Sequence, residues 1–313
     1  MGTHLLVLLH GIEGHASAWN YVSHEIGRMM VSENSLGKVA ILACRSNQGS
    51  HTHDGIEVCG DRAASEVRAY LLAHPDTTHV SILAHSLGGL IARHMICVLH
   101  NSEASSVVWR QLVKHRFVSL AVPHLGIVNL PRMWRCEGLA QWIASWVPSR
   151  TIRQLMLQDP ERLLYRMATE PAYIDAWREF SETHLYANVH HDHLVHHDTA
   201  SITPWHPSVR FPRGVTGATW RTDPLYPAIY DWASTGIADN TTQPFPTARA
   251  LQVHPLQEEL CDALQSHRLN WVRFDICDRA LHSHLDVIVS IPWLHDYGRG
   301  IVRHYLENGL LLK

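Results

Sequence analysis

The stretch SILAHSLGGLIARHM, residues 81–95, decides the fold. An apolar run suited to a strand buried on both faces turns through His85-Ser86-Leu87-Gly88-Gly89 straight into an amphipathic helix carrying Leu87, Leu90, Ile91, Met95 and Val98. A turn this tight needs small residues beside its central serine and lifts that hydroxyl above the sheet. The helix N-terminus behind it favours negative charge developing at the site. This is the strand–turn–helix setting of a nucleophile elbow, so Ser86 is the expected nucleophile, with a serine in an ordinary βα turn as the competing reading. Ala84 stands where the pattern G-x-S-x-G has its first glycine, and alanine is still small enough for the turn.

Outward from the elbow, the first 125 residues alternate. HLLVLLHG (4–11) reads as a buried parallel strand, 16–31 as a helix, KVAILAC (38–44) as a strand and 57–73 as a helix whose stripe runs through Val58, Ala63, Val67, Ala69, Tyr70 and Leu71. The strand THVSILAH (78–85), a helix from Leu87 to about His100 and the strand RFVSLAV (116–122) continue the series. Strand and helix in turn, in units of this length, predict a doubly wound, mostly parallel α/β sheet.

After PHLG (123–126) the alternation stops. Residues 127–182 read as a helical insertion over the sheet, a cap or lid, in which Leu139, Trp142, Ile143, Trp146 and Val147 share one face. Arg132, Arg135, Arg150 and Arg153 flank that face, with only Glu137 opposing them. Such a helix suits an anionic lipid surface, and packing on the core would explain the same stripe. A strand returns at THLYANV (183–189). Residues 203–247 read as a long loop region, 255–267 as a helix with proline in its first turn, 269–277 as a last strand and 294–307 as a C-terminal helix. The whole chain, 1–313, is expected to form one domain.

Composition narrows the class. With 46% apolar and 18% charged residues the chain can bury a core, and a net charge of −3 argues against a nucleic-acid partner. The six cysteines include no CxxC pair, as in a reduced cytoplasmic protein. Met1-Gly2 is followed by Leu6 where a myristoylation signal needs Ser or Thr, and LLVLL (5–9) is too short for a signal-peptide core. No stretch approaches the ~18 apolar residues of a membrane span.

His10-Gly11 closes the first strand as V-L-L-H-G-I-E-G, 75 residues before the elbow serine. In acyl-transfer hydrolases a loop of this kind supplies one oxyanion donor and the amide after the nucleophile supplies the other. Here these are the amides of Ile12 and Leu87, with His10 holding its loop. Taken together, LLVLLHGIEGHASAWNYV, THDGIEVCGDRAASEV, LAHSLGGLIAR, SLAVPHLG, YANVHHDHLVHHDTASI and LNWVRFDICDRALHSHLDVIV resemble the lipase-like serine esterases of eukaryotes, an α/β-hydrolase family. Val122 stands where the family has threonine before Pro-His-Leu-Gly.

The resemblance implies the chain order nucleophile, acid, histidine. It places the acid at Asp192, with Asp198 as the fallback, although His191 and His196 replace the family's usual Asn and Pro. It places the base at His284, ahead of the apolar, β-like run 285–289, with His282 as the alternative. It also implies lipid esters, acylglycerols or phospholipids, as substrates, with a small-molecule ester as the other reading, while the Trp-rich insertion adds peripheral contact with a membrane or lipid-droplet surface. No cofactor is implied. Two other readings stay open: a metal site on His193, His196 and His197 in the loop that holds five histidines, and a catalytically silent hydrolase fold serving as a binding scaffold.

Overall fold

Along strand β1 (Thr3–Leu9) every residue is buried. Leu5, Val7 and Leu9 pack into one core layer while Leu6 and Leu8 pack into another on the opposite face. A strand with water on neither side must sit inside a sheet covered on both faces. The computed structural model, which describes residues 2–32, 38–128, 149–203, 228–231, 254–277 and 283–310, shows that sheet. In chain order its elements are β1, α1 (Asn20–Ser32), β2 (Val39–Ala43), α2 (Ile56–Ala73), β3 (Thr77–His85), α3 (Leu87–Asn101), α4 (Glu103–Gln111) and β4 (Val113–Leu120). There follow α5 (Arg150–Leu155), α6 (Leu163–Thr169), α7 (Pro171–Arg178), β5 (Glu182–Asn188), α8 (His197–Ser201) and β6 (Ala228–Asp231). The last are α9 (Pro255–Ser266), β7 (Trp271–Cys277), α10 (Ser283–Asp286) and α11 (Arg299–Tyr305).

The strands lie in the order β2-β1-β3-β4-β5-β7-β6, parallel throughout except for β6, which runs antiparallel to β7. On one face α2, α3 and the helices between β4 and β5 bury Ile56, Leu90, Met95 and Trp177 against Leu5, Val7, Ile82 and Phe117. On the other, Trp19, Val22 and Ile26 join Ile301, Val302 and Tyr305 over Leu6, Leu8, Leu83 and Val118. The doubly wound α/β-hydrolase sheet read from the sequence is therefore the observed one. No helix among the described residues is long and apolar enough to cross a membrane.

Several elements differ from the sequence reading. Helix α2 buries Ile56, Cys59, Gly60, Ala63, Ala64, Val67 and Leu71, a cleaner 3.6-residue stripe than the one expected. Its residue Ala69 faces water. Helix α4 was not expected, because Ser and Val are weak helix formers; buried Trp109 anchors it. Strand β6 interrupts the expected loop region 203–247, the remainder of which, beyond 203, lies outside the described residues. Val287, Ile288 and Val289, the expected β-like run, form a buried turn after α10, and Val289 takes a positive φ of 51°. The C-terminal helix starts at Arg299 and not at 294, because Pro292 and Gly298 belong to a separate turn before it.

The insertion contributes α5 to α7 from its described part, while 129–148, with the Leu139–Val147 face and Arg132, Arg135 and Glu137, lies outside it. Arg150 bonds Glu57 at 2.8 Å. Thr151 Oγ1 and Gln154 Oε1 accept the amides of Gly55 and Ile56, so the insertion caps the start of α2. Gly55 has φ 114°, which only glycine tolerates.

At the elbow α3 packs directly against the backbone of β1 and the residue after it. A Cβ on Gly88 would lie 2.4 Å from the Leu9 carbonyl oxygen and 2.6 Å from that of His10, and backbone cannot swing aside. Gly88→Ala should therefore cost at least ~2 kcal/mol in urea unfolding, within the range for overpacked cores. Gly27→Ala, inside α1 with nothing within 4 Å of the new methyl, should instead gain ~0.5–1 kcal/mol through helix propensity. Equal effects would remove close approach as the reason for Gly88.

Candidate active site

Strand β3 ends at His85, and Ser86 then takes φ 54° and ψ −133°, a strained region for a residue with a side chain. Two backbone bonds hold it there: its amide donates to the Leu120 carbonyl of β4 at 2.9 Å, and its carbonyl accepts from Gly89 at 3.0 Å. Small residues make room around it. A Cβ on Gly11 would lie 2.8 Å from Ser86 Cβ, and one on Gly89 would lie 2.3 Å from the buried side chain of Val122. Val122, which departs from the resembled family, thus fills the space beside the elbow helix.

The hydroxyl so presented meets His284. Their Oγ and Nε2 atoms are 2.9 Å apart, and on the other side of the ring Nδ1 lies 2.9 Å from Asp192 Oδ2. An ionised carboxylate only accepts, so this contact fixes the proton on Nδ1 and leaves Nε2 as acceptor for the serine O–H. Ser86 follows β3 directly, Asp192 lies in the loop after β5 and His284 in α10 after β7; the contacts span 198 and 92 residues of chain, and all three side chains are nearly buried.

Asp192 is held from every side. Its Oδ1 accepts the amides of Leu194 and Val195 at 3.1 and 2.8 Å, and its Oδ2 also accepts from Asn188 Nδ2 at 2.9 Å. Burial alone would raise its pKa. The charge and ring N–H of His284, the Val195 amide and the Asn188 amide outweigh burial and hold it below the usual carboxylate range. Asn188 Nδ2 reaches the Ser283 carbonyl as well, at 3.2 Å, and His85 Nε2 donates to the His284 carbonyl at 2.7 Å. These two residues fasten the base-bearing helix to the sheet, and the sequence reading missed both. The available signal was a polar residue at the buried C-terminal end of a strand, where catalytic groups of α/β sheets gather.

The backbone amides of Ile12 and Leu87 donate to no acceptor among the described residues. His10 Nδ1 donates to the Gly11 carbonyl at 3.0 Å, which fits its expected loop-holding part. Asp198 sits in α8 with no hydrogen bond to His284, and His282 lies outside the described residues. His197 is engaged in a buried pair with Asp275, at 2.6 Å, while His193 is exposed. No three of the described His, Cys, Asp and Glu side chains form a group suited to a metal ion. PHLG is tied to α8, the helix after the Asp192 loop: the Leu125 amide donates to Thr199 Oγ1 at 2.8 Å, and that hydroxyl donates to the Gly126 carbonyl.

Three buried histidines near the sheet are held neutral. Burial is the largest cause in each, reinforced by His115 and His79 at His4, by His284 at His85 and by Arg93 at His124. His4 and His85 are pushed down to about 3. In the unfolded chain each returns to about 6.5, so below that pH the unfolded state binds the extra protons and stability falls as pH is lowered. Each ring adds a slope of up to ~1.4 kcal/mol per pH unit until its folded pKa is reached. Thermal melts at pH 7.5, 6.5 and 5.5 should therefore give a steadily falling Tm. A flat profile would mean that these rings take up protons without unfolding.

Comparison with known proteins points the same way. The chain is 27% identical over 199 residues to a protein of Saccharomyces cerevisiae named "Putative lipase", covering 62% of this chain and 29% of the yeast protein. It is 22% identical over 208 residues to a like-named protein of Schizosaccharomyces pombe, covering 64% and 26%. It thus spans less than a third of either relative. Among solved structures, a phospholipase from Legionella pneumophila matches with a TM-score of 0.41 at 12% identity, over 60% of this chain and 38% of that one. A lipase from Bacillus licheniformis matches with a TM-score of 0.39 at 16% identity, over 59% and 66%. The family match includes Ser86 and Asp192 and stops before His284. With residues 1–202 matched, more than half of its length, the chain belongs to the family described as "Putative serine esterase".

Proposed function

We propose that this chain is a serine carboxylic-ester hydrolase, a single α/β-hydrolase domain that works through an acyl-enzyme. The observation that carries the proposal is the unbroken relay from the Ser86 hydroxyl through His284 to the buried Asp192 carboxylate. In the first half-reaction Ser86 Oγ attacks the ester carbonyl while His284 Nε2 takes its proton. Asp192 keeps the ring in the working tautomer and stabilises the imidazolium. The carbonyl oxygen gains negative charge against the unpaired amides of Ile12 and Leu87, at the N-terminus of α3. His284 then gives its proton to the leaving alcohol. In the second half a water attacks the acyl-serine by the same proton route, releasing the acid.

Lipid esters, acylglycerols or phospholipids, are the substrate class that the names of the two yeast relatives support. Peripheral contact with a lipid surface follows from that class, and no cofactor enters the reaction. The acid and base roles rest on geometry, which favours Asp192 over Asp198.

Incubation with a fluorophosphonate probe should label the protein on Ser86, and p-nitrophenyl esters of short acids should be turned over. Ser86→Ala should abolish labelling and lower kcat by about 10⁴–10⁶. Undiminished labelling of that variant would remove the elbow serine from the mechanism, and an unlabelled, inactive wild type would favour a silent scaffold. The choice of acid is tested separately. Asp192→Asn should lower kcat by ~10⁴, since an amide favours the wrong ring tautomer, whereas Asp198→Asn should stay within about twofold. The reverse pattern would move the acid to Asp198.

A further inference from the structure

Between the helix of His284 and α11 the chain makes a turn that leaves its largest apolar groups in water. Trp293 is 82% exposed, and Ile291, Pro292, Leu294 and Tyr297 are exposed beside it. Leu285, the residue after His284, is exposed as well. Scattered apolar residues on a surface need no explanation, but a contiguous run of them does.

The exposure is built in. The His295 side chain is buried, and its Nδ1 lies 3.1 Å from the Ile291 amide and 3.0 Å from Ser290 Oγ. The amides of Leu294 and His295 return to the Ile291 carbonyl, and that of Gly298 to His295. A polar residue points in and the apolar ones point out, the reverse of what burial would select. The turn is also fixed to the site: Gly298 lies so close to the Asp286 carbonyl at the end of α10 that any side chain there would collide with it.

The charges nearby are matched. Asp296 pairs with Arg299 and Arg303 with Glu307, both at 2.6 Å, and Asp286 is buried. Among the described residues of 283–303 this leaves an apolar, aromatic tip with balanced charge around it. Trp and Tyr, each with an apolar ring and a polar edge, suit the boundary between headgroups and acyl chains. A tip of this kind fits a lipid surface without net charge and gains nothing from an anionic one.

We propose that the turn Ser290–Tyr297 is a wedge that inserts into the surface of a zwitterionic lipid aggregate and seats the Ser86–His284 site against it. The assignment of an ester substrate at that surface rests on the hydrolase reading above. Gly298 ties the tip to Asp286, two residues from His284, so the surface that binds is the surface that supplies substrate.

The test uses the whole chain with phosphatidylcholine vesicles in a sedimentation assay, beside turnover of a soluble and an emulsified ester. Wild type should co-sediment, and raising salt from about 0.05 to 0.5 M should change binding less than about twofold. Trp293→Ser/Leu294→Ser should weaken vesicle binding by at least about tenfold and slow the emulsified ester in step, with soluble-ester turnover within about twofold. Three results would overturn the wedge: no vesicle binding by wild type, binding untouched by the double substitution, or binding abolished by salt. A concentration-dependent dimer that the double substitution dissolves would also overturn it, since a second copy would then cover the tip. Vesicle binding without turnover of any ester would spare the wedge and sink the hydrolase reading. Soluble-ester turnover without vesicle binding would do the opposite.

Discussion

Everything at the site depends on holding one serine in a backbone conformation that side chains avoid. Ser86, at φ 54° and ψ −133°, is stable there only because its surroundings leave it no alternative. The amide is fixed to β4 by Leu120, and α3 begins at the next residue and lies against the carbonyls of Leu9 and His10. Gly11 and Gly89 clear the space on either side. Four elements must be in place before the hydroxyl points where it does. This explains why Gly11, Gly88 and Gly89 surround the elbow, between a fully buried β1 and a mostly buried β3.

How much could be read beforehand follows from how local each signal is. The elbow, the HG turn and the parallel strands are written in neighbouring residues, and each appears where the sequence placed it. Asp192 and His284 needed the family pattern as well, since neither stands out among so many acids and histidines. The structure brings both to the serine. Asn188 and His85 were missed because their roles exist only across strands: each bonds a carbonyl more than ninety residues away. Helix α4 was missed because one buried tryptophan overrides weak propensity, and the start of α11 was misjudged because the turn carrying Pro292 and Gly298, pinned by the His295 side chain, comes before it.

The histidine-rich loop shows how composition misleads when burial is unknown. The five imidazoles between 190 and 197 suggested a shared task, yet they divide by environment. His193 is exposed, and His197 is sealed against Asp275 on β7. The loop atom that meets His284 belongs to a carboxylate that the backbone wraps with two amides.

The pair His197–Asp275 has a consequence for the order in which the molecule assembles. Asp275 lies in β7, the strand that leads to His284, while His197 follows directly on the acid loop. The last parallel strand therefore both fastens the segment after Asp192, through His197, and leads to His284. Contacts spanning this much chain close late, because loop-closure entropy is lost before they form. A growing polypeptide thus carries Ser86 for nearly two hundred residues before the imidazole of His284, its hydrogen-bond partner, is made.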